Sequence, residues 1–184
     1  YELLRDHIAY YSFGTLINLM DRNRINLLEE QIINRDTIEA VVKKNPGWKE
    51  GTEEFSEKMI STDSLTEGYR VTNQEMEELL DRLEKKGKSL AVWGASHQGF
   101  TLAATTRLGA AARYMIDSAP FKQGRYAPAS HLPITAPEHF FEEPVDAVLI
   151  AAPGYSDEIA GTIRERFGGQ VEILTLRTKH IEKL

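Results

Sequence analysis

The apolar positions in the second half of the chain follow two alternating patterns. Short, mainly apolar runs have the length and β-branched content of buried strands, at 90–93, 113–116, 145–152 and 171–176. Segments with the 3.6-residue periodicity of amphipathic helices lie between them. Strands that alternate with helices predict an α/β fold, with a mostly parallel sheet and helices on both faces.

A strongly amphipathic helix is predicted to precede the first of these strands, starting at Thr72. Its apolar stripe has the i, i+3, i+4, i+7 spacing of a helix that packs on a core. The stripe consists of Met76, Leu79, Leu80 and Leu83. Later helices are predicted at 97–108 and after Ser156, which is a suitable N-cap, with Gly168 as the end.

The N-terminal part predicts a helix followed by a β-hairpin. Ser12 is a suitable N-cap, and Asn23 a suitable end, because asparagine tolerates the left-handed conformation. Two β-branched segments, at 25–33 and 37–43, flank a short turn and are expected to pair as antiparallel strands. One helix and two strands do not form a core alone, so we expect this part to pack against a further sheet or domain.

Breaks in these patterns divide the chain into three parts. Residues 1–44 carry the helix and hairpin, 45–71 form a predicted linker with proline and glycine breaks, and 72–184 form the α/β domain. Because the opening residues resemble the middle of a domain, we also expect a region upstream of Tyr1.

Composition and charge exclude several classes of function. The 184 residues carry a net charge of −6 without a large Lys/Arg cluster, which argues against a nucleic-acid partner. The chain has no cysteine, which excludes a disulfide or a thiolate zinc site within it, and no His/Asp/Glu spacing predicts a metal site. The absence of cysteine also suits a cytoplasmic protein. No apolar stretch approaches the roughly 18 residues of a membrane span, so we expect no membrane partner.

The segment after the strand Leu90–Trp93 predicts a phosphate-binding turn. Gly94 ends the apolar run, and Gly99 follows five residues later in a helical segment. A strand, a glycine turn and a helix in this order form the first unit of a nucleotide-binding Rossmann-like sheet. In such a unit, unpaired amides at the helix N-terminus attract an anion. Ser96 replaces the middle glycine of that motif, and its hydroxyl and the side chain of His97 are further candidate donors.

Asp117 is a candidate ribose ligand. It follows the predicted strand at 113–116 and lies 23 positions after Gly94, near the roughly 20-residue offset of dinucleotide sites. An aspartate at a strand end also commonly caps the next turn. We therefore expect contact with a phosphate or a sugar nucleotide rather than a complete NAD site. The alternative, an NAD-dependent oxidoreductase, predicts thermal stabilisation by NAD(H).

The loop that follows offers two cations and an aromatic ring near the strand ends. Lys122, Arg125 and Tyr126 are candidates for a clamp on a phosphate or sugar nucleotide; alternatively, both cations are simply solvated. His131 is either a further ligand or a hydrogen-bonding group that pins its loop. A Ser-His hydrolase is disfavoured, because Gln98 stands where the nucleophile elbow requires glycine.

Three stretches, at 92–99, 116–126 and 128–134, resemble the C-terminal domain of S-adenosylmethionine (SAM)-dependent C-methyltransferases, typified by deoxysugar C-methyltransferases. Their Lys-Gln-Gly-x-Tyr and His-x-Pro-Ile pieces are the most specific. In that family the Rossmann-like domain follows an N-terminal zinc-binding region and a central SAM-binding domain. The resemblance therefore implies a Rossmann-like fold for this part of the chain.

The segment at 6–12 looks like the acid-His-x-x-Tyr-Phe-Ser segment late in the family's SAM domain. The resemblance implies that His7 is the base that removes a proton next to a sugar ketone, that Asp6 is its acidic neighbour and that Tyr10 shapes the pocket. Leu4 and Arg5 stand where the family usually has Tyr-His. Taken without the resemblance, His7 is more typical of a surface residue ahead of a helix.

The resemblance implies that these residues are the substrate-side portion of a C-methyltransferase that acts on a nucleotide-linked sugar or a similar small molecule. SAM would be bound by an upstream domain, since neither its glycine motif nor zinc cysteines occur in this sequence. The alternative is a stand-alone Rossmann-like module that binds a nucleotide or regulates, without catalysis. A Gly-rich SAM motif encoded upstream of Tyr1 would favour the methyltransferase, and its absence would favour the stand-alone module.

Overall fold

The computed structural model describes residues 9, 11–33, 37–47 and 63–184. They fall into two compact units, one within residues 5–61 and one within 62–184. In the smaller unit, helix α1 spans Phe13–Arg22 and starts at the predicted cap: the Ser12 hydroxyl accepts from the amide of Thr15 at 3.2 Å. The helix ends at Asn23 as predicted, but the left-handed residue is the next one, Arg24, with φ of 59°.

The predicted hairpin is confirmed. Strands β1 (Ile25–Ile33) and β2 (Thr37–Lys44) pair antiparallel, with a bulge between Leu27 and Glu29. Both strands expose apolar side chains, namely Leu28, Ile32, Ile33, Val41 and Val42. Two strands bury little apolar surface by themselves, and the packing of this hairpin against a further sheet or domain stays a prediction.

The larger unit begins with helix α2 at Asp63, nine residues before the predicted start at Thr72. Part of the predicted linker is therefore helical. The following helices and strands are β3 (Leu90–Trp93), α3 (His97–Thr105), α4 (Leu108–Ala111), β4 (Met115–Ile116), β5 (Ile134–Thr135), β6 (Ala147–Ile150), α5 (Ser156–Phe167), β7 (Glu172–Leu176) and β8 (Ile181–Lys183). Short 3₁₀ helices occupy Pro137–Phe141 and Pro153–Tyr155.

The sheet confirms the predicted α/β class. Its order is β5-β4-β3-β6-β7-β8, with β8 antiparallel and all the other pairs parallel. Counted from β3, this is the 3-2-1-4-5-6 order of Rossmann folds. The chain reverses direction across the sheet between β3 and β6, and ligands of such sheets bind outside the carboxyl ends of the strands at that switch point.

Helices cover both faces of the sheet, and side chains alternate between the two. Leu90 and Val92 of β3 pack with the apolar stripe of α2, while Ala91 and Trp93 pack on the opposite face. The predicted stripe of α2 is confirmed, since its members are at most 6% exposed: Met76, Leu79, Leu80 and Leu83. The opposite face is covered by α5 and the first 3₁₀ helix, through residues such as Ile163 and Phe140.

Two local predictions were wrong. The predicted helix at 97–108 is broken, because the Thr106 hydroxyl donates to the carbonyl of Leu102 at 2.7 Å and accepts from the amide of Leu108 at 3.1 Å. Ser156 is the first residue of α5 rather than its N-cap. Its hydroxyl is turned inward and shares a 2.9 Å hydrogen bond with Thr175 instead of capping the helix.

Candidate functional site

The turn after β3 begins with amides that are already bonded within the protein. The amide of Gly94 donates to the carbonyl of Ile116 at 2.8 Å, and the amide of Ala95 donates to the Asp117 carboxylate at 3.0 Å. Gly94 has φ of 121°, a conformation that residues with a Cβ rarely adopt. These first two residues therefore fix the turn and are not available to a ligand.

The following amides are available. Ser96 is the N-cap of α3, but its hydroxyl donates to the carbonyl of Ala151 at 3.3 Å and does not cap the helix. In the part of the chain that the structure describes, the amides of His97, Gln98 and Gly99 have no acceptor. His97 is exposed, Gln98 is half-buried and Gly99 is buried, so an anion has access to this helix end through His97 and Gln98.

Gly99 is required by close packing. A Cβ at this position would lie 2.1 Å from the carbonyl oxygen of Gly94 and 3.6 Å from the side chain of Ala151. The contact brings the first turn of α3 directly against the end of β3. The predicted glycines are thus explained by backbone geometry at this site.

Asp117 lies at the end of β4, as predicted, and is 9% exposed. One carboxylate oxygen accepts from the amide of Ala95 and from the ammonium of Lys122, at 3.0 and 2.9 Å; the other accepts from the amide of Ala119 at 2.9 Å. Asp117 therefore links the turn after β3 to the loop after β4. A ribose hydroxyl at this carboxylate would compete with three donors from the protein.

We expect Asp117→Asn to destabilise the fold. The asparagine side chain has only one acceptor oxygen, whereas the carboxylate uses both of its oxygens to accept from Ala95, Lys122 and Ala119. At least one buried donor therefore loses its acceptor, at a cost of about 1–3 kcal/mol. Urea unfolding followed by circular dichroism measures the change. The control Asp157→Asn removes a surface carboxylate paired with Arg177 and should stay within about 0.5 kcal/mol of wild type. Equal stability of both variants would show that Asp117 does not hold the turn.

The predicted clamp residues are divided between two places. Lys122 is half-buried and held by Asp117. Arg125 and Tyr126 are exposed on a segment that pairs with the outer edge of β5, where the amide of Ile134 donates to the carbonyl of Arg125 at 2.8 Å. His131 is exposed with φ of 57°. The structure thus brings the glycines, Ser96, His97, Asp117 and Lys122 to the ends of β3 and β4, and places the other three residues at the sheet edge.

The structure also shows a support for the site in the loop after β6 and the residues below it. The loop after β6 lies against the turn after β3, where Gly94 approaches Ala151 and Ala152. Below this loop, Ser156 and Thr175 form a buried hydroxyl pair, and the Ser156 hydroxyl also contacts the carbonyl of Ala152 at 3.2 Å. The sequence prediction missed this hydroxyl pair. A threonine within the apolar run at 171–176 could have indicated it.

The catalytic residues that the resemblance implies belong to the N-terminal segment. Asp6, His7 and Tyr10 lie outside the described residues. Among the residues that are described, no group of three or more His, Asp or Glu side chains could hold a metal ion. Within the same residues, no helix has both the length and the apolar content that crossing a bilayer requires.

The fold and this strand-end turn define a Rossmann-like domain with a candidate anion site at its switch point. The sequence profile of the C-methyltransferase C-terminal domain matches residues 49–173. The chain belongs to this family.

The proteins that are similar to the chain include a C-methyltransferase and a solved sugar-nucleotide dehydrogenase. The C-methyltransferase NovU of Streptomyces niveus is 25% identical over 177 residues, which cover 89% of this chain and 42% of NovU. The chain thus spans about two fifths of the length of this relative. The UDP-D-quinovosamine 4-dehydrogenase of Vibrio fischeri is 18% identical, with a TM-score of 0.42, over 53% of this chain and 93% of that structure.

Proposed function

We propose that this chain is the C-terminal, substrate-side portion of a SAM-dependent C-methyltransferase that acts on a nucleotide-linked sugar. The diphosphate of the substrate binds the amides of His97, Gln98 and Gly99. The observation that carries the proposal is this set of amides without acceptors, at the switch point of a domain from a C-methyltransferase family. Bound there, the substrate is fixed by its diphosphate, while its sugar is free to reach a methyl donor held elsewhere.

The described residues do not fit SAM itself. The acidic group at the end of β4, which holds a ribose in dinucleotide sites, is engaged by Ala95, Ala119 and Lys122. We therefore assign SAM to a domain of the full-length enzyme outside this chain. The greater length of the related C-methyltransferase NovU supports this division. This chain then binds and orients the methyl acceptor.

A backbone substitution tests the diphosphate contact. His97 is the first residue of α3, where proline is tolerated, and Ser96 before it is already extended, with φ of −122° and ψ of 174°. His97→Pro removes one amide donor and the imidazole, whereas His97→Ala removes only the imidazole. We expect calorimetric titration with UDP to show several-fold weaker binding for His97→Pro than for His97→Ala.

The comparison between these two variants isolates the amide. Equal affinities of His97→Pro and His97→Ala for UDP would contradict the contact, provided that both unfold at the temperature of wild type. Failure of the wild-type chain to bind UDP at millimolar concentration would also contradict it.

A further inference from the structure

We propose that an open groove along the outer edge of β5 binds the base of the nucleotide-linked substrate. This proposal rests on the proposed function, in which the diphosphate of the same molecule contacts α3. It gives the groove a separate task, which is recognition of an uncharged aromatic ring.

The groove has a volume of about 340 Å³ and lies between β5, the segment at 124–126 and the 3₁₀ helix Pro137–Phe141. Hydrogen bonds fix its walls. The amide of Gly124 donates to the carbonyl of Ile134 at 2.9 Å, and Ile134 donates back to Arg125 at 2.8 Å. Small-molecule pockets range over about 300–1,000 Å³, so this groove has room for one ring system and not for a whole nucleotide sugar.

Two planar groups line one wall. Tyr126 is 68% exposed, although the backbone that carries it is bridged to Pro133. Arg125 is exposed and, among the described residues, has no carboxylate partner. Bases stack on tyrosine rings and on arginine planes, because every base has a π face. This wall is therefore suited to hold a base from one side.

The other wall supplies hydrogen-bond acceptors. Glu138 accepts from Arg166 at 2.7 Å, and this hydrogen bond lowers the pKa of Glu138 below its ordinary value. Glu142 lies 3.0 Å from His139. Carboxylates accept from the N–H groups of a base. This wall can therefore accept hydrogen bonds from the edge of a base that is stacked on the opposite wall.

β5, β4 and β3 are neighbours in the sheet, and adjacent strands are about 4.8 Å apart. The groove lies beyond β5, and α3 follows β3. The proposal places one substrate across the end of β4, with its base in the groove and its diphosphate at α3.

Titration of the 184-residue chain with three probes, namely uridine, UDP and inorganic pyrophosphate, tests the proposal. Loss of a stacking partner should weaken the binding of uridine and UDP to Tyr126→Ala about tenfold, and leave pyrophosphate unchanged. Tyr126→Phe keeps the ring and should keep the affinity. Phe121→Ala is the matched control, since Phe121 is a 73% exposed aromatic residue of the preceding turn that does not line the groove.

The outcomes distinguish this proposal from the proposed function. Unchanged affinity of Tyr126→Ala for uridine and UDP, or absence of uridine binding by wild type, overturns the groove as a base site. An equal loss of pyrophosphate binding in Tyr126→Ala overturns it as well. Uridine binding that depends on Tyr126, in a chain that does not bind pyrophosphate, would support the groove and contradict the diphosphate contact.

Discussion

Gly99→Ala is expected to lower the free energy of unfolding by about 1–3 kcal/mol and to abolish UDP binding. The added Cβ would lie 2.1 Å from the carbonyl oxygen of Gly94, which is backbone and cannot rotate away. The first turn of α3 must therefore move from the end of β3. Because the amides of this turn are the proposed diphosphate donors, stability and binding are expected to fall together. Urea unfolding and calorimetric titration measure the two effects.

Gly161→Ala is the matched control for this substitution. Gly161 lies within α5, and a Cβ there would meet no atom within 4 Å. Alanine favours a helix over glycine, so this variant should gain about 0.5–1 kcal/mol and keep its UDP affinity. If Gly99→Ala were as stable as Gly161→Ala and kept its UDP affinity, the close approach of α3 to β3 would be required neither for stability nor for UDP binding.

His7→Ala is expected to lower the turnover of the full-length enzyme by about 10²–10⁴-fold, the usual contribution of a general base. The resemblance of residues 6–12 to a segment of C-methyltransferases carries this prediction, and it concerns a residue outside the described ones. The affinity for SAM should change little, because the base acts on the acceptor. Steady-state kinetics and SAM titration measure the two quantities.

His180→Ala serves as the control for His7→Ala. His180 is an exposed histidine that contacts Glu75, and it belongs to neither proposed contact. Its loss should leave turnover near that of wild type. Undiminished turnover in His7→Ala would rule out His7 as the base, and an equal loss in both variants would point to a general effect on the fold.

The parts of the fold that were predictable are those with a regular apolar pattern. The stripe on α2 repeats with the period of a helix, and β3 is a continuous apolar run that is buried on both faces of the sheet. Both patterns follow directly from burial. The break at Thr106 did not follow, because a single side chain competes there for backbone groups of a helix that is otherwise well patterned.

The candidate site was predictable in position but not in contacts. Gly94 and Asp117 could be placed at strand ends, because the carboxyl ends of parallel strands meet at one edge of the sheet. That Asp117 bonds the amide of Ala95, 22 residues earlier, depends on tertiary geometry which no local pattern contains. The same holds for the groove, because its walls come from three separate segments.

The most direct test of the central claim follows the backbone amides of the 184-residue chain by NMR during titration with UDP. We predict saturable shifts of the amides of His97, Gln98 and Gly99, and smaller shifts for Gly94 and Ala95, whose amides are already bonded within the protein. UDP that leaves the amides of residues 97–99 unperturbed, whether it binds elsewhere on the chain or does not bind, would contradict the account.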